Sequence, residues 1–93
     1  MLVVLAKGMR VEIWISGDVI GVFFRAGVRD LARSLGLTGM VENSGDKVHV
    51  IAEGEKKAID QLITFCKQGP EGAKVENVDV TQQPETGEFQ EFA

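Results

Sequence analysis

The sequence predicts an α+β domain in which two helices cover one face of an antiparallel sheet. Short stretches alternate apolar and polar residues with period two, and two longer segments repeat apolar residues at i, i+3, i+4 and i+7. Their order along the chain is strand, helix, strand, strand, helix, strand. A composition of 44% hydrophobic and 26% charged residues supplies a core and argues against a disordered acidic chain. Ninety-three residues leave no room for two catalytic domains, so residues 1–93 are read as one domain, with 1–8 as an N-terminal extension and Met9 as an alternative start.

Met9 to Ser16, MRVEIWIS, places Val11, Ile13 and Ile15 on one side of a strand and Arg10, Glu12 and Trp14 on the other. A glycine-containing loop then leads into FRAGVRDLARSLG, where Val28, Leu31, Ala32 and Leu35 form one helix face and Gly36 ends it. LTGMVENSGDKVHVIAEG reads as a hairpin turning at Gly45 and Asp46, with Val48, Val50 and Ala52 at period two. EKKAIDQLITFCKQG carries Ile59, Leu62, Ile63 and Cys66 on the face of a second helix, closed by Gly69 and Pro70. In KVENVDVTQ the spacing of Val75, Val78 and Val80 predicts a strand with either a bulge or one inward-to-outward change. GEFQEFA can form a short last strand through Phe89 and Phe92, at an edge rather than in the sheet centre, which leaves four or five strands. This order is that of a ferredoxin-like split βαβ sandwich with a four- or five-stranded sheet.

Ten basic against fourteen acidic residues give a net charge of -4, which lacks the positive field of a nonspecific nucleic-acid binder. One cysteine, Cys66, and one histidine, His49, exclude an internal disulfide and an ordinary zinc centre, and Asp18, Glu42 and Asp46 show no ligand pattern for another metal. The opening MLVVLAK is too brief for a signal segment and no stretch approaches a membrane span. A cytoplasmic monomer acting on a small molecule, without nucleic acid or membrane, is the expectation.

Chemistry concentrates in Gly17-Asp18-Val19-Ile20-Gly21-Val22-Phe23-Phe24-Arg25, which joins the first strand to the first helix. A turn there aims backbone N–H groups and the positive helix end at an anion, and Arg25 adds a planar donor fork. The spacing is neither that of a P-loop nor that of a dinucleotide fingerprint, and a purely structural turn fits the composition equally well. Asn43, just before Ser-Gly-Asp, reads on its own as a turn-capping residue.

GDVIGVFFR resembles the glycine-rich signature of the acylphosphatase family, and GMVENSGDKVHVIAEG is similar to its second signature. KQGPEGAKVENVDV and the GEF-containing tail resemble the closing helix and strands, so the likeness runs in order from residue 10 to 92. The resemblance implies a small ferredoxin-like hydrolase that splits the carboxyl–phosphate bond of acyl phosphates without a cofactor. It makes Arg25 the phosphate-binding arginine and Asn43 the residue that positions the attacking water. The N–H groups across Ile20, Gly21, Val22, Phe23, Phe24 and Arg25 then complete the cradle. A nonenzymatic anion-binding or regulatory module with the same fold is the alternative.

The chain departs from the pattern at Ile20, where glutamine is usual, at Asp18 and Glu42, where basic residues are common, and at Met40, where an aromatic is usual. The turn after Asn43 is one residue shorter. Acidic groups near an anion site oppose substrate capture, so Asp18 and Glu42 are expected to weaken a hydrolase that is retained, while displacement of Asn43 by the short turn belongs to the nonenzymatic alternative. Elsewhere His49 is read as a strand-surface or packing residue and Cys66 as a core thiol. Trp14, Phe23 and Phe24 are read as packing residues, with a partner interface at Trp14 or the tail as a weaker reading. Asp30 and Arg33 are read as a surface pair, and Arg29 and Arg33 as solvated.

Overall fold

The computed structural model describes residues 8–93. The expected extension at 1–8 therefore lies, apart from Gly8, outside the described residues. Elements follow in the order β1 (Met9–Asp18), α1 (Phe24–Ser34), β2 (Thr38–Ser44), β3 (Lys47–Gly54), α2 (Lys56–Gln68) and β4 (Lys74–Gln83). The four strands pair in the order β2-β3-β1-β4, all antiparallel, and both helices cover one face in the ferredoxin-like arrangement.

Register decides what each face carries. Val11, Ile13 and Ile15 stand opposite Ala52, Val50 and Val48, and all are at or below 1% exposure beneath the helices. Phe24, Val28 and Ala32 of α1 and Ala58, Ile59, Leu62 and Cys66 of α2 complete this core. Burial of each large aliphatic side chain contributes about 1.5–3 kcal/mol, so the core rests on both ladders keeping register. Burial also pushes the Cys66 thiol up to about 12, which leaves it protonated and inert.

The opposite face is polar but organised. His49 is buried between Glu12 (Nε2···Oε2 2.7 Å) and Glu42 (Nδ1···Oε2 3.1 Å), and its ring stacks on Trp14 with centroids 3.9 Å apart. Both residues thus pack, as read from the sequence, though against each other. The predicted bulge falls in β4, where the register against β1 shifts between Ser16 and Gly17 and Glu76 is left over. Gly17 has φ 126° there, and a Cβ would collide with the backbone carbonyl of Lys74.

The tail adds no fifth strand, so the sheet is the four-stranded of the two expected forms. A single parallel bridge joins Phe92 to Gly39 beside β2, and Phe92 enters the core at 1% exposure. Phe89 instead lies against the guanidinium of Arg10, 5.6 Å from its ring centroid. Strand pairing fails upstream because residues 86–88 serve a buried carboxylate. Thr86 Oγ1 and the N–H groups of Thr86 and Gly87 donate to Glu53, which also accepts from Arg10 Nη1 at 2.7 Å. Burial works against the Glu53 charge, yet Thr86, Arg10 and the amide of Gly87 together bring its carboxyl down to about 2.

The predicted Asp30–Arg33 pair is also corrected. Asp30 lies 3.6 Å from Arg29 Nε, while Arg33 Nε donates to the Phe92 carbonyl at 2.9 Å. Arg33 is exposed, as its solvated reading expects, and in addition clasps the tail.

Candidate active site

The loop from Val19 to Phe23 is shaped by burying Val19 and Val22 while its glycine turns outward. Val19 is 1% exposed and Val22 packs against the core, with Gly21 at φ 77° between Ile20 and Val22. The loop delivers the chain to α1 through Phe23, whose φ of 61° is the only left-handed non-glycine backbone among the described residues. Phe24 then drops into the core at 1% exposure, and Phe23 is forced outward to 84%. Phe23 is therefore not the packing residue expected from its apolar neighbours.

The start of α1 is electrically unusual. Helices ordinarily place an oxygen side chain at the N-cap and acidic residues in the first turn, where they meet the exposed N–H groups. Phe23 makes no side-chain cap bond, and the first turn carries no acidic residue. The Gly27 N–H reaches the Phe23 carbonyl at 3.0 Å, so Phe24, Arg25 and Ala26 have no i−4 acceptor within the helix. Arg25 adds a cation at the positive end, which disfavours the empty helix and favours an anion.

β2 supplies the facing wall. Val41 and Asn43 stand opposite Val50 and Val48, which places them on the helix-covered side, whereas Glu42 pairs with His49 on the other. Ser44 and Lys47 close a two-residue turn in which Gly45 has φ 63° and Asp46 does not, the sign pattern of a type II′ hairpin. Asn43 leads into this turn from the wall of β2. A cleft of about 380 Å³ lies between these parts, lined by Gly21, Phe23, Phe24, Arg25, Arg29, Val41 and Asn43, with Ala93 at its edge.

Residues named from the sequence thus divide. Gly21, Phe23, Phe24, Arg25 and Asn43 come together, while the side chains of Ile20 and Val22 are absent from the cleft lining. Alternation along β2 puts Glu42 on the opposite face, where it meets His49, and Asp18 stands opposite Lys74 in the β1–β4 ladder. Neither acidic residue lines the cleft. Arg29 was read as solvated, yet it lines the cleft and its Nε is buried without a hydrogen-bond partner. Its four-residue spacing from Arg25 was the available signal, since i and i+4 share a helix face. Among the described residues no group of three or more His, Cys, Asp or Glu side chains gathers as a metal site, and no helix is long and apolar enough to cross a membrane.

Fold and cleft together define a small ferredoxin-like domain with a cationic, amide-lined pocket at the start of its first helix. The acylphosphatase family model matches residues 11–93. An acylphosphatase of Methylococcus capsulatus is 44% identical over 85 residues, covering 90% of this chain and 92% of the relative. The structure of an acylphosphatase from Coxiella burnetii superposes with a TM-score of 0.86 at 34% identity, covering 92% of this chain and 90% of that one. The Bacillus subtilis acylphosphatase structure gives a TM-score of 0.86 at 30% identity, covering 90% and 94%. The chain belongs to the acylphosphatase family, and its activity is that of an acyl-phosphate hydrolase.

Proposed function

We propose that this cleft hydrolyses small acyl phosphates to a carboxylate and inorganic phosphate, with Arg25 and the N–H groups from Ile20 to Arg25 as the phosphate cradle. Asn43 orients a water toward phosphorus through its paired donor and acceptor atoms. The new bond forms between the water oxygen and phosphorus as the bond from phosphorus to the acyl oxygen breaks. The electron pair of that bond leaves on the carboxylate, and a substrate oxygen receives the water proton. Charge on the phosphoryl oxygens is met by donors already in place, so the protein supplies electrostatic stabilisation rather than a nucleophile. A carboxylate is a good leaving group, which makes a side-chain acid unnecessary.

The observation that carries this reading is that Arg25 and Asn43, from separate elements, line one cleft with the uncapped start of α1. Every residue in the scheme comes from one chain, so the working unit is the monomer, and a cytoplasmic setting suits a soluble, diffusible substrate. Protein treated with a chelator should release phosphate from acetyl phosphate above the spontaneous rate. Inorganic phosphate should compete and shift the backbone amide resonances from Gly21 to Ala26. Phosphate binding at those amides without turnover identifies an anion-binding module instead, and shifts confined to other residues would overturn the site.

A further inference from the structure

Arg29 stands one turn beyond Arg25 on α1, and both line the cleft. Residues four apart share a helix face, and a long helical side chain leans back toward the N-terminus. The Arg29 fork is thereby carried toward the turn of Phe24, Arg25 and Ala26, whose N–H groups have no acceptor within the helix. The fold gains little from it there. Two cations at i and i+4 repel, and Asp30 Oδ1 lies 3.6 Å from Arg29 Nε, beyond hydrogen-bond reach and on a side chain that is 72% exposed. The Nε atom is shut off from water and has no hydrogen-bond partner. A buried donor left unpaired carries a desolvation cost that an acceptor in the cleft removes.

Among the described residues, Arg25 and Arg29 are the only charged side chains in the cleft lining. A phosphoryl group bears about two negative charges at neutral pH, so one arginine leaves part of its charge unmet. We infer that Arg29 is a second phosphoryl ligand, whose fork turns onto an oxygen of the group held by Arg25 and the helix amides. Its donors are planar and fixed, so it grips the transferring group in the transition state as well as in the bound substrate. The inference rests on the hydrolase reading above and adds a residue to its site.

Phosphate titration reads this contact without turnover. In wild-type protein, inorganic phosphate should move the Arg29 Nε–H resonance together with the amides from Gly21 to Ala26, with one Kd for all. Arg29→Gln keeps a good helix former and removes the charge. Its Kd for phosphate should rise about 10-fold, the scale of one charged hydrogen bond. Its kcat/KM for acetyl phosphate should fall on the order of 10²-fold, with Tm unchanged or higher because a like-charge pair is gone. Arg29→Lys, which keeps the charge without the fork, should recover part of both losses. An Arg29 resonance that phosphate leaves in place, or a folded Arg29→Gln protein with Kd within twofold of wild type, overturns the inference even where the rate falls, and turnover by wild-type protein then leaves the hydrolase reading standing. Wild-type protein that engages phosphate through Arg29 but hydrolyses no acetyl phosphate supports Arg29 as the ligand and overturns the hydrolase reading alone.

Discussion

At the Met9–Gly54 end of the β1–β3 ladder, Arg10, Glu53 and the tail satisfy one another, whereas at the Ile15–Val48 end the polar groups face an open cleft. Glu53 is 2% exposed and collects donors from a guanidinium, a hydroxyl and two amides. The start of α1 has the reverse character, with an uncapped first turn, a cation at its positive end and a strained exposed aromatic. Stability comes from the closed end, where each buried charge has partners. Function is assigned to the open end, where the same kinds of group are left for a substrate to complete.

Breaking the closed end should cost the most stability and leave the cleft's geometry intact in molecules that remain folded. Glu53→Ala strands Arg10 beside orphaned tail amides and should destabilise by about 3–5 kcal/mol, read as the free energy of urea unfolding. Asn43→Ala should do the opposite, lowering kcat on the order of 10²-fold with Tm within a few degrees of wild type. A similar loss of Tm in both variants would erase the contrast between the ends.

Acid sharpens the comparison. Glu53 is held at about 2 instead of 4.5, so its charge stabilises the fold fully above pH 4.5. That contribution, about 3 kcal/mol, should be lost as pH falls from 4.5 through about 2, and Glu53→Gln should flatten this part of the unfolding profile. The smallest effect concerns Asp18, which stands opposite Lys74 and outside the cleft lining. Asp18→Asn should raise kcat/KM no more than about twofold, only at low salt, with the gain vanishing by 0.5 M sodium chloride.

What was legible in the sequence follows from how local each signal is. The β1 and β3 faces and both helix stripes could be read because side-chain direction is fixed by the backbone period. Arg25 and Asn43 were identified as site residues through family resemblance, and their common cleft depends on the β2–β3 register, which a turn of two residues sets. The exposure of Phe23 was not legible, since FF beside a valine does not reveal which ring a left-handed turn will expel. Nor was the role of the tail, because Thr86 and Gly87 stand 33 and 34 positions from Glu53 and meet it only in the folded chain.

The central claim is that Arg25 serves the substrate and not the fold, and Arg25→Ala tests it most directly when rate and stability are measured on the same preparation. Arg25 is exposed at the positive end of α1, so removing it should leave Tm unchanged or slightly higher. Acyl-phosphate hydrolysis should fall at least about 10³-fold in kcat/KM, the scale of losing an arginine that binds a transferring phosphoryl group. A folded Arg25→Ala protein with kcat/KM within tenfold of wild type would contradict the account.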